Sequence, residues 1–286
     1  MTLQVAQPDG GLAAVNTNLG LLVTANQNGN SILESGFLGE EATYKIVQYT
    51  FPAGVAAATS HTVTVSGVTT DMKVFATFKT AGTATQQNRI GAVKVTAQDT
   101  VTFTWDASRD PSSGVVYIIA LRPDFNHAWV GMSGNVAGGS AGTTDDWLHA
   151  GVLASDYLIA MVEGAGTNVD MSNITVVARQ AADTIRATHA SLDPVNVDYV
   201  SAAFRALGSK IIPAQLSFSG TATTFTFTVP GVLTTSKLLF TINTAGTAVD
   251  NSTVVKVEPT AADTVVVTMS SSLDSSSAVA SLVAFN

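Results

Sequence analysis

Three copies of one spacing pattern constrain this chain more than any other feature. Gly67–Asp99 reads GVTTDMKVFATFKTAGTATQQNRIGAVKVTAQD, Gly151–Asp183 reads GVLASDYLIAMVEGAGTNVDMSNITVVARQAAD, and Gly231–Asp263 reads GVLTTSKLLFTINTAGTAVDNSTVVKVEPTAAD. In each copy the glycine of Gly-Val is followed 15 residues on by the glycine of Ala-Gly-Thr (Gly82, Gly166, Gly246). The aspartate of Asp-Thr (Asp99, Asp183, Asp263) comes 17 residues after that. The copies start 84 and then 80 residues apart. A length of 286 residues would suggest two domains, but the repeat overrides it in favour of three units. The constant residues are turn formers. Ala-Gly-Thr is expected to use its glycine at positive φ, and Asp-Thr reads as an Asx-type turn opening a strand.

Between these turns the pattern is that of strands. Thr62 to Val65, Val101 to Trp105 and Thr224 to Val229 alternate with period two. Val115 to Leu121 is continuously apolar and is expected to be a central strand covered on both faces. Each copy offers six such segments with turn signals between them. The expected fold is therefore all-β: three tandem small antiparallel β-sandwiches, immunoglobulin-like or jelly-roll-like, with an extended N-terminal arm. The boundaries fall at 1–42 for the arm, 43–125 for repeat 1, 126–210 for a diverged repeat 2 and 211–286 for repeat 3. Helix is considered only near Leu12–Ala25 and Thr184–Thr188, and the repeat alignment makes the second a strand. Short linkers favour units packed on one another.

Composition narrows function more than it names it. Charged residues make up 12% and the net charge is −8, which argues against nucleic acid as a partner because phosphates need Lys and Arg. No run of eighteen apolar residues predicts a membrane span. With no cysteine there is no disulfide, thiolate nucleophile or Cys-based metal site. The start, MTLQVAQPDGG, does not read as a secretory signal.

Candidate chemistry is thin. Gly138-Gly139-Ser140-Ala141-Gly142 matches the nucleophile-elbow spacing but lacks the strand-to-helix setting, so it reads as a loop. The four histidines (His61, His127, His149, His189) have no metal-ligand spacing and are expected at solvated or hydrogen-bonded positions. Asp193–Asp198 lacks the glycine and terminal glutamate of a calcium loop. Asp145 and Asp146 are adjacent on a strand and should face opposite ways, which argues against a catalytic dyad. No catalytic, cofactor-binding or metal-binding residue is assigned, and no enzyme activity is expected.

Two features are not repeated. Leu3, Val5, Leu12, Val15, Leu19, Leu21 and Leu22 give the arm an apolar character that needs another surface. Asp145 and Trp147 mark the divergent edge of repeat 2, where the neighbouring copies carry Thr-rich alternation. These residues are the candidate docking set.

Tandem sandwiches, absent cysteine, low charge, abundant Thr, Ser, Ala and Gly, and an apolar arm resemble the accessory structural proteins of tailed-phage virions, of the capsid decoration (cement) or fibre type. The resemblance covers Thr43 to Asn286 and carries no family-specific residue. It implies a non-enzymatic virion component, made in the host cytoplasm, that docks through its arm on a major capsid or other virion protein. It would do so either as a homo-oligomer or as a monomer whose three units imitate a threefold cluster. The alternative is a cell-surface or carbohydrate-binding adhesin array, for which Trp105, Trp129 and Trp147 are the aromatic candidates.

Overall fold

A computed structural model describes residues 44–123, 128–132, 142–166, 169–192, 197–205 and 210–286. The chain is all-β. The first copy holds β1 (Tyr44–Thr50), β2 (Ala58–Thr64), β3 (Lys73–Thr80), β4 (Ile90–Ala97), β5 (Thr100–Arg109) and β6 (Val115–Leu121). The second holds β7 (Ala128–Met132), β8 (Gly142–Leu148), β9 (Tyr157–Gly164), β10 (Ile174–Ala181), β11 (Thr184–Leu192) and β12 (Asp198–Phe204). The third holds β13 (Ile211–Ser217), β14 (Thr221–Thr228), β15 (Lys237–Thr244), β16 (Val254–Ala261), β17 (Thr264–Asp274) and β18 (Val279–Phe285). Short 3-10 turns, Gln87–Arg89, Met171–Asn173 and Asn251–Thr253, precede β4, β10 and β16.

Among the described residues the strands form six antiparallel sheets of three, and one order recurs. The first, sixth and third strands of a copy make one sheet (β1-β6-β3, β7-β12-β9, β13-β18-β15). The second, fifth and fourth make the other (β2-β5-β4, β8-β11-β10, β14-β17-β16). Aromatic rings meet between the two: Phe78 on β3 lies 6.2 Å from Trp105 on β5, and Trp147 on β8 stacks on Tyr199 of β12 at 4.7 Å. Thr184–Thr188 is strand, within β11.

The Gly-Val and Asp-Thr pairs close on each other identically in all three copies. Asp99, Asp183 and Asp263 each sit at φ 57, and Gly67, Gly151 and Gly231 at φ 81, 85 and 90. The aspartate Oδ1 accepts a hydrogen bond from the glycine N–H 32 residues earlier. The constant spacing therefore records a latch between the second and fifth strands. A left-handed residue that must also present an oxygen is Asp or Asn. Asp263→Ala is expected to cost about 1–2 kcal/mol, from the lost hydrogen bond and the added backbone strain. Asp263→Asn should stay within about 0.5 kcal/mol of wild type. Urea unfolding of the two variants checks this.

Ala-Gly-Thr behaves differently from expectation. Gly82 and Gly246 are not at positive φ. A Cβ at Gly82 would stand 2.7 Å from the Pro111 carbonyl oxygen, and one at Gly246 2.9 Å from that of Ser275. The glycine is there for close approach to the turn between the fifth and sixth strands.

The third strands are edge strands, yet Val74–Phe78, Leu158–Val162 and Leu238–Ile242 are buried throughout. An uncovered edge of this kind would template aggregation. Here each is covered by another copy: β4 packs on β9, β10 on β15, and β16 returns to β3. The strands β3, β9 and β15 also touch one another pairwise, as do the three 3-10 turns. The contacts close a ring, and Lys45–Asn286 forms one compact unit.

Candidate functional site: the hub of the ring and the altered core of the second copy

The faces of β3, β9 and β15 turned away from their own partner sheets build the hub. Phe75, Ile159 and Leu239 occupy the same repeat position there and are 0%, 1% and 0% exposed. The central strands β6, β12 and β18 are buried on both faces because one face serves its own copy and the other the hub. Phe204 and Phe285, at the ends of β12 and β18, meet edge to face at 5.9 Å. Buried amides tie the 3-10 turns to the hub strands. Gln87 Oε1 accepts from the Phe78 N–H at 2.8 Å, and Asn251 Oδ1 accepts from the equivalent Ile242 N–H at 2.8 Å.

The three junctions are chemically different. Between the first and second copies, Lys73 Nζ donates to both oxygens of Glu163 at 2.8 and 2.9 Å, with side chains only 11% and 19% exposed. Between the second and third the contacts are neutral. Asn243 Nδ2 donates to the carbonyls of Leu158 and Val177, Asn251 Nδ2 to that of Thr175, and the Thr241 hydroxyl accepts from the Ala160 N–H. Between the third and first, Asn88 Nδ2 donates to the Ser252 carbonyl at 2.7 Å. There the Tyr117 hydroxyl is pushed above its usual pKa by burial and by the charge of Glu258. A ring with three unlike junctions accepts its copies in only one order.

Asp145 and Trp147, expected at a docking edge, are buried, at 5% exposure each. This corrects that placement. Strand β8 alternates strictly, so Asp145, Trp147 and His149 point inward while Asp146 and Leu148 point out. The opposite facing of Asp145 and Asp146 is as expected: Asp146 is paired with Arg186 on the outer face, which holds its carboxyl below the usual range. Inside, Tyr199 donates its hydroxyl to Asp145 Oδ2. His189 Nε2 lies 3.3 Å from the same oxygen, just longer than the usual N–H···O range. Trp147 Nε1 donates to Ser201 Oγ at 3.2 Å, and Ser201 Oγ lies 2.8 Å from His149 Nδ1. Burial, then the hydrogen bond and charge of Asp145, push the Tyr199 pKa far up, so the phenol keeps its proton.

The same six positions are largely apolar in the other copies. Counting from the Gly-Val glycine and from the end of the sixth strand, the first copy has His61, Val63, Val65, Trp105, Val116 and Ile118. The third has Phe225, Phe227, Val229, Met269, Ala280 and Leu282. The second has Asp145, Trp147, His149, His189, Tyr199 and Ser201. His149 and His189, expected at solvated or hydrogen-bonded positions, are 2% and 3% exposed, and His149 takes the hydrogen-bonded alternative, with Nδ1 2.8 Å from Ser201 Oγ. Their missing sequence spacing concealed them: the strand layout, not proximity along the chain, brings them into one core. Comparing the copies position by position would have found all six.

The arrangement holds and shares protons but is not built for nucleophilic attack. A Ser–His–Asp relay needs one histidine between serine and carboxylate. Here Ser201 bonds His149, Asp145 lies against His189, and Ser201 is 0% exposed. Trp105 is also core, 3% exposed and stacked on Phe103, so neither it nor Trp147 offers a surface ring to a sugar. The arm residues Leu3, Val5, Leu12, Val15, Leu19, Leu21 and Leu22 lie outside the described residues, as do His127, residues 138–141 and 193–196, and the Trp129 side chain. Among the described residues no helix is long and apolar enough to cross a membrane, and no group of three His, Asp or Glu could hold a metal ion. No protein-family model matches the chain, and no curated protein matches it.

Proposed function

We propose that this chain is a non-enzymatic structural protein of a virion, of the decoration, cement or fibre type. Its three tandem β-sandwiches act as a covalent trimer on a threefold-symmetric shell or tail surface. The observation that carries the reading is the closed cyclic packing of β4 on β9, β10 on β15 and β16 on β3. Head-to-tail contacts that close after three copies are the geometry of a cyclic trimer. Joining the copies in one chain allows each junction its own chemistry, and a surface of threefold symmetry is what such a ring fits. The arm before Thr43 supplies attachment by adding its apolar residues to the major capsid or other virion protein, and localisation to the virion follows from that contact.

In gradient sedimentation of producing cells, the full chain should travel with large particles. A version lacking residues 1–42 should stay at the top of the gradient as a folded monomer, with about a tenfold or greater loss of particle binding. Native mass measurement should give one chain of 29.4 kDa for the free full-length protein. A stable homotrimer, or unchanged particle binding without the arm, would overturn the reading.

A further inference from the structure

We propose that the ring has a seam, the junction between its third and first copies, and opens there. The first copy swings away while the second and third stay closed on each other. The chain runs directly from the first copy into the second and from the second into the third, so this junction alone has no peptide link across it. Its corner is also mismatched. Lys73, at the start of β3, meets Glu163 at the end of β9. At the next junction the same repeat positions hold Tyr157 and Asn243, and Asn243 Nδ2 donates to the carbonyl of Leu158 beside Tyr157. At the seam they hold Lys237 and Lys79, two cations in place of a pair. Each turns to its own copy: Lys79 Nζ donates to Gln48 Oε1 at 3.3 Å and Lys237 Nζ to the Thr235 carbonyl at 2.6 Å. Glu258, on β16, is taken by Lys256.

The neutral bonds are missing in the same way. Between the second and third copies Ser281 Oγ accepts the Leu158 N–H at 3.2 Å, and Thr241 Oγ1 accepts the Ala160 N–H at 3.2 Å. The first copy carries Tyr117 and Thr77 at the positions of Ser281 and Thr241. Both are 0% exposed, and neither hydroxyl has a hydrogen-bond partner among the described residues. Asn88 gives its amide to Ser252 across the seam, but its buried Oδ1 has no such partner either. A buried polar atom without a partner gains one when water enters, so these groups favour opening at this junction. The apolar packing of β16 on β3 opposes them and keeps the open state a minor one. The first–second junction, tethered and ion-paired, is the hinge. The second–third junction keeps its hydrogen bonds and the contact of Phe204 with Phe285.

The chain contains no cysteine, so an introduced thiol reports one place. The measurement is the reaction rate of a single thiol with an aromatic disulfide reagent in native buffer, divided by the rate for the same variant unfolded in urea. Thr77→Cys should react at least about tenfold faster than Thr241→Cys. The control is strict, because Thr241→Cys discards the bond from the Ala160 N–H and so loosens its own junction. Adding Lys79→Glu gives the seam the Lys–Glu corner of the first junction and should slow Thr77→Cys about fivefold. If Thr241→Cys does not fold, Ser281→Cys, at the position opposite it on β18, takes its place. Equal rates at the two thiols, or a Thr77→Cys rate that Lys79→Glu leaves unchanged, would sink the proposal.

Discussion

Replacing Phe285 with alanine is expected to lower the unfolding free energy by about 3–5 kcal/mol, the cost of emptying a buried aromatic site. Phe285 is 4% exposed and packs edge to face on Phe204, so the cavity opens at a junction between copies and not inside one of them. The physical consequence is specific. The hub is shared, and weakening it should shift the whole of Lys45–Asn286 in one transition. Denaturant unfolding followed by intrinsic tryptophan fluorescence makes the comparison well, because Trp105 and Trp147 lie in the first and second copies while the substitution lies in the third. If fluorescence from those copies keeps its midpoint while far-ultraviolet circular dichroism reports early loss of the third, the ring is not one cooperative unit. Leu148→Ser, at a side chain 70% exposed, should change stability by less than about 0.5 kcal/mol and serves as the control.

Asp145→Ala should also be severe, at about 3 kcal/mol, because it removes an acceptor of the buried Tyr199 hydroxyl and the carboxylate oxygen 3.3 Å from His189 Nε2. One position away, Asp146→Ala removes only a solvent-exposed pair with Arg186 and should cost no more than about 1 kcal/mol. Converting the cluster to apolar residues separates the cost of a broken network from the worth of an intact one. Asp145→Phe with His189→Met and Tyr199→Phe borrows two of the third copy's residues and should recover most of the loss, since a buried polar set is often no more stable than a packed apolar one. Thermal unfolding of the three proteins decides it. A triple variant no better than Asp145→Ala would mean that backbone differences, and not the missing partners, set the cost.

The altered core also shows where the strands themselves carried the information and where they did not. Period-two alternation in Thr224–Val229 marked a strand and the unbroken apolar run of Val115–Leu121 a central one, and both are found there. The same rule sends Asp145, Trp147 and His149 inward, but polar side chains at core positions read as a surface edge until their partners are known. Those partners, His189, Tyr199 and Ser201, lie on β11 and β12, about forty to fifty residues away along the chain. Ala-Gly-Thr was misread for a related reason. A glycine that avoids a distant carbonyl looks, in sequence, like a glycine that adopts positive φ.

The sequence by itself determined the three copies of the spacing pattern, the six strand segments in each, and the turn character of Gly-Val and Asp-Thr. These rest on local backbone preferences and on contacts at constant spacing, which a repeat displays directly. Only the tertiary structure decided that β4, β10 and β16 cover the edges of β9, β15 and β3 in a closed cycle, and that six polar side chains of the second copy share one interior. Burial on a second face depends on what arrives from elsewhere in the chain. A strand buried on both faces is equally apolar whichever neighbour covers it, so its sequence does not name that neighbour.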